Sequence, residues 1–131
     1  MRGIIAGSFD LMHTGHILML RDAKLNCDHL TIALQYDPSI QRKLKNKPCQ
    51  SLYERYMAVK TSKYVDEVIP YENEEELEII LRYGNFNVRF LGTDYINKEF
   101  NITGHNIVPI KYLKRDHYYS SSGLRERIKK S

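Results

Sequence analysis

Apolar residues in this chain come in two alternating patterns, short continuous runs and longer stretches at helical spacing. "RGIIAG" (2–7) is a brief apolar run closed by a glycine, the mark of a buried parallel strand. In "TGHILMLRDAKLN", Ile17, Leu20, Ala23 and Lys24 recur at helical spacing, and Thr14 is the expected N-cap. "HLTIALQ" (29–35) is apolar and β-branched, a second strand. The capping-box spacing of "SLYE" (51–54) opens a helix predicted to run to about Lys63. "VDEVIPY" (65–71) predicts a third strand. "NEEELEIILRYG" (73–84) has acids in its first turn and a glycine at its end, so it predicts a helix matched to its own dipole. "VRFLG" (88–92) and "IVPIKYL" (107–113) predict strands four and five, and "SSSGLRERIKK" (120–130) a serine-capped helix ending in lysines.

Strands alternating with helices predict a doubly wound α/β sheet of five parallel strands with right-handed crossovers. No repeat, low-complexity tract or linker interrupts the chain, so residues 1–131 are expected to form a single domain. Ligands of such sheets bind beyond the carboxyl ends of the strands. That rule singles out "GSFDLMHTGH", "GTDY" and "RDHYYSSSGLR", together with the polar, lysine-rich segment after "HLTIALQ".

Composition narrows the partners. The net charge of +4 fits a protein that binds phosphate-bearing molecules, small or nucleic acid. No nucleic-acid motif supports the second class. No apolar run is long enough to span a bilayer, and the N-terminus lacks the pattern of a signal peptide. Cys27 and Cys49 lie far apart and read as free thiols. A cytoplasmic protein is the expectation.

His13 and His16, three residues apart where the first strand gives way to a helix, admit three readings. A zinc site needs a third ligand, and the chain offers neither HExxH spacing nor a Cys–His cluster, so no bound metal of this kind is expected. Decoration of a helix start is the plain alternative. An anion site needs backbone N–H groups, glycines that permit close approach, and added positive charge. Gly7 and Gly15, the helix N-terminus, the hydroxyls of Ser8 and Thr14, and the lysine-rich segment supply all of these.

"GSFDLMHTGH" resembles the G-[ST]-F-D-x-x-H-x-G-H element of the nucleotidyltransferase superfamily, which joins a nucleoside triphosphate to a phosphate-bearing substrate. "YVDEVIPY" (64–71), "FLGTDY" (90–95) and "RDHYYSSSGLR" (115–125) resemble, in order, the blocks of glycerol-3-phosphate cytidylyltransferases and their relatives. The resemblance implies a Rossmann-like fold and transfer of CMP from CTP to an acceptor such as glycerol 3-phosphate, with pyrophosphate released. It further implies Mg2+ accompanying the triphosphate, and a homodimer. ATP with a sugar phosphate is the alternative, because "SSSGLR" is also similar to the ending of adenylyl-transferring relatives. A nucleotide-binding module without turnover is a third possibility.

The same resemblance implies roles for particular residues. His13 and His16 would stabilise the transferring group, with Gly15 admitting the backbone. Lys43, Lys45 and Arg115 would hold the triphosphate, and Ser120, Ser121 and Ser122 its β- and γ-phosphates. Gly7, Ser8, Phe9, Asp10, Gly92 and Asp94 would border the nucleotide. Arg55, Asp10 and Tyr95 would face the acceptor. Asp10 has a second reading, as the residue that orients the turn. The serines have one as a helix cap, and Arg55 one as a surface helix arginine. The block "GTDY" departs from the family's "GDDW", and His117, Tyr118 and Tyr119 replace "EGI".

Overall fold

A computed structural model describes residues 1–40 and 47–131. Lys43 and Lys45 therefore lie outside the described residues. Five strands, β1 (Arg2–Gly7), β2 (His29–Gln35), β3 (Glu67–Tyr71), β4 (Val88–Gly92) and β5 (Ile110–Leu113), form one parallel sheet in the order β3-β2-β1-β4-β5. Helices α1 (Thr14–Leu25), α2 (Leu52–Lys60) and α3 (Glu74–Tyr83) follow the first three strands, and α4 (Ser121–Lys130) follows β5. The doubly wound α/β sheet expected from the sequence is the architecture found.

Alternation along the strands divides the core between the two faces of the sheet. Ile5, Leu30, Ile32 and Leu34 pack with Leu20 and Ala23 of α1 and Val59 of α2. Ile4 and Ala33, one residue out of phase, pack with Leu77 and Leu81 of α3 and with Phe86. Strands covered on both faces lose their apolar surface to neighbours in either direction, hence the continuous apolar runs.

Several boundaries differ from expectation. Helix α2 stops at Lys60, with Thr61 as its C-cap. Strand β3 begins at Glu67: residues 62–65 still turn, the Val65 amide donating to the Ser62 carbonyl, and Asp66 is a bend whose amide already donates to the Leu30 carbonyl of β2. Strand β5 begins only at Ile110. Residues 104–109 turn instead, burying Val108 and presenting the Pro109 carbonyl to the Arg89 amide. Gly84 caps α3 with φ at −83°, so the left-handed residue here is Asn85, at 57°. Gly84 is needed for space, since a Cβ there would sit 2.1 Å from the Phe86 ring.

The order of strands reverses between β1 and β4. These two strands pair in register only at Gly3–Val88 and Ile4–Arg89. Beyond that point Ile5–Gly7 and Phe90–Gly92 line a cavity instead. The opening expected at a switch point of an open α/β sheet is thus produced by early loss of pairing.

Candidate active site

The turn from β1 into α1 is built against backbone preference. Phe9 and Leu11 have φ of 50° and 51°, a region that branched or bulky side chains enter only when neighbours demand it. Phe9 is held because its ring is core, 4% exposed. Leu11 donates its amide to the Gln50 side-chain carbonyl at 2.9 Å. Between them Asp10 is buried, and its carboxylate accepts from the amides of Cys49 (2.8 Å) and Gln50 (3.0 Å) and from the Arg125 guanidinium. Burial would raise the Asp10 pKa, but these amides and Arg125 outweigh it and hold it below the ordinary carboxylate value. Of the two readings of Asp10, orienting the turn is the one this geometry fits. Its oxygens are taken up by protein donors, so the expected contacts to nucleotide and acceptor are corrected.

Arg55 requires the same kind of correction. It is 1% exposed and donates to four carbonyls, those of Gln50 (3.2 Å), Ser8 (2.9 Å), Gln35 (2.6 Å) and Tyr36. It is neither a surface arginine nor open to an acceptor phosphate. Its planar fork ties the chain after β1, the end of β2 and the start of α2 together.

The two histidines cap α1 themselves. His13, not Thr14, is the N-cap: its Nδ1 accepts from the Gly15 amide at 3.0 Å. His16 answers by accepting the His13 amide on its own Nδ1 at 3.1 Å. Thr14 is the first helical residue and is exposed. Since each Nδ1 is an acceptor, the neutral rings carry their protons on Nε2. The ring centroids are 4.0 Å apart, and His16 also lies 5.3 Å from the Phe9 ring. Burial, and then the charge of a protonated His13, push the His16 pKa down to about 4. The His13 pKa is lowered by burial, Arg115 and His117. Near neutral pH both rings are uncharged N–H donors.

Gly15 is a space requirement. A Cβ there would lie 2.8 Å from Cε1 of His13 and 3.0 Å from Cε1 of His117. At Gly7 the corresponding contact, 3.2 Å to Phe9, is milder.

These groups surround a cavity of about 430 Å3, within the usual range for small-molecule sites. Gly7, Ser8, Phe9, His13, Gly15 and His16 border it from the first turn. Gly92, Asp94 and Tyr95 border it from the end of β4, and Arg115 with Ser120, Ser121 and Ser122 from the approach to α4. The sequence-predicted residues among those described are thus brought together from three distant segments, apart from Asp10 and Arg55, which support the turn from behind. The serines divide their duties. Ser120 caps α4, accepting the Gly123 amide at 2.9 Å. Ser121 Oγ lies 3.2 Å from His13 Nε2, joining the two halves of the site. Ser122 is exposed at the cavity.

Two residues of the site escaped the sequence reading. Arg125 follows the quoted serines by one helical turn, and its pairing with Asp10, 115 positions away, left no local signal. His117 faces the same cavity, and the signal that could have found it was its departure from the family's block. A smaller hollow of about 180 Å3 adjoins Ser8, Asp10, His16, Ser121 and Arg125.

The class of protein is a Rossmann-like α/β fold with donor groups gathered at its switch point. By sequence the chain belongs to the cytidylyltransferase-like family, whose model matches residues 4–127. It is 34% identical to the glycerol-3-phosphate cytidylyltransferase of Bacillus subtilis (strain 168), over 95% of each chain. It is 28% identical to the FAD synthase of Thermococcus sibiricus, over 97% of this chain and 91% of that one. A lipopolysaccharide core biosynthesis protein from Thermoplasma volcanium shares the fold, with a TM-score of 0.68 and 21% identity, over 91% of this chain and 98% of that one. Among the described residues, no helix is long and apolar enough to cross a membrane.

Proposed function

We propose that the chain transfers CMP from CTP to a small phosphorylated acceptor, with glycerol 3-phosphate as the first candidate. The observation that carries this reading is the pair of neutral imidazoles with Nε2 protons, set beside hydroxyls and the N-terminus of α4. An oxygen of the acceptor phosphate attacks the α-phosphorus, and the bond from that phosphorus to the bridging oxygen of the β-phosphate breaks. Pyrophosphate leaves with that electron pair. No protein nucleophile is needed, so the work of the side chains is positioning and neutralising charge. Neutral N–H donors suit this task, because they can stabilise charge that develops on the phosphoryl oxygens without giving up a proton.

Magnesium, when bound, supplies screening of the crowded phosphates; the exposed carboxylate of Asp94 at the cavity fits a hard cation, which phosphate oxygens would chiefly hold. Lys43 and Lys45 are proposed as further triphosphate contacts on the strength of the resemblance. So is a homodimer, which light scattering against the 15.4 kDa protomer mass tests.

The similarity to an FAD synthase over nearly the whole chain favours one second reading, adenylyl transfer from ATP. Pyrophosphate release from CTP and ATP, each with a panel of phosphorylated acceptors and magnesium, tests both. Release with CTP and glycerol 3-phosphate supports the first reading; release only with ATP replaces it with the second. No release with any pair, from folded protein, overturns transfer altogether.

A further inference from the structure

We propose that His117 is a third phosphate-facing donor, directing its Nε2–H at the pyrophosphate end of the bound triphosphate. The proposal rests on the transfer reading above and adds a residue to it. His117 repeats the arrangement of the two histidines of α1. Its Nδ1 accepts a backbone amide, that of Tyr119, at 3.1 Å. The neutral ring therefore carries its proton on Nε2, as His13 and His16 do. It borders the same cavity, and Gly15 lacks the side chain that would collide with it and with His13 at once. One glycine thus admits two imidazoles from segments about a hundred positions apart.

The position along the chain indicates which phosphates it meets. His117 lies three residues before Ser120, the cap of α4, whose first-turn amides point toward the approaching loop. The same loop carries Arg115, which donates to the Tyr119 carbonyl at 2.7 Å. Tyr119 is thereby held on both its amide and its carbonyl, and this local closure sets Arg115 and His117 side by side at the cavity. The α-phosphorus belongs with His13 and His16. The loop donors, together with the helix N-terminus, are placed for the group that leaves.

Two substitutions separate donation from mere support of the loop. His117→Gln places an amide N–H near the position of Nε2 but removes the acceptor at Nδ1. His117→Asn keeps an acceptor near Nδ1 but removes the donor. For a charge-assisted hydrogen bond, His117→Asn should lower kcat/KM by about 10- to 100-fold while His117→Gln stays within about threefold of wild type. If His117→Asn is unimpaired, if His117→Gln falls as far as His117→Asn, or if neither changes, the ring only supports the loop and the proposal fails. Calorimetric titration with inorganic tripolyphosphate, which needs no turnover, reads the same contrast in affinity. Should wild type release no pyrophosphate at all, the transfer reading fails, and the tripolyphosphate titration still decides for or against the donor.

Discussion

The turn after β1 and the segment leading into α4 face each other across one cavity, yet they are held in opposite ways. In the first, Asp10 is 6% exposed, the left-handed Phe9 is fixed by its ring in the core, and Asp10 and the left-handed Leu11 by bonds to residues about forty to over a hundred positions distant. In the second, Arg115, Tyr118 and Tyr119 are exposed, and the bonds that shape it span two to four residues. Its long-range tie at the cavity runs through Ser121 to His13 and to the Asp10 carbonyl. The difference teaches where this fold spends its rigidity. Strain is maintained where two imidazoles must keep one geometry, and local bonds suffice where donors meet the outer part of a ligand.

The largest expected effect falls on the rigid side. His16→Ala should lower turnover by about two to four orders of magnitude while circular dichroism stays that of the wild type. A loss of only a few-fold in a folded variant would remove His16 from the chemistry. Next comes Gly15→Ala, which should cut kcat by at least about tenfold through displacement of the His13 and His117 rings. It should also lower thermal stability slightly, since moving His13 breaks the N-cap of α1 and offsets alanine's preference for a helix. A Gly15→Ala enzyme of normal activity would mean the two rings have room to move.

Arg55→Met should act on stability rather than on acceptor use. It strips the partner from four carbonyls and leaves the turn unsupported, a cost of about 3 kcal/mol by urea unfolding at unchanged m-value. A variant of wild-type stability with a raised acceptor KM would restore the phosphate-binding role. The pH profile of stability probes the same side more gently. The His16 pKa lies near 4 in the folded chain against an ordinary value near 6.5, and that of His13 is lowered too. The unfolded chain therefore binds protons first, so stability is complete above about pH 6.5 and falls as the pH drops towards 4. His16→Gln should flatten that fall. The smallest effect belongs to the local segment: Tyr118→Ala, at a fully exposed ring, should leave the melting temperature within experimental scatter.

The sequence by itself determined the alternation of strands and helices, because burial on both faces of a parallel sheet and on one stripe of a helix leaves periods that can be read locally. It also determined which segments would meet: a carboxyl-end rule and four ordered blocks sufficed to name His13, His16, Gly92, Asp94, Arg115 and the serines. Tertiary structure alone decided what each group faces. Arg55 and Asp10 carry the same charges whether they meet a phosphate or the backbone, and only the packing of Gln35, Tyr36, Cys49, Gln50 and Arg125 around them turned both inward. The N-cap passed from Thr14 to His13 because Gly15 leaves room for an imidazole against its own amide. His117 became part of the site through a contact across about a hundred residues, and a contact of that span leaves no period in the sequence.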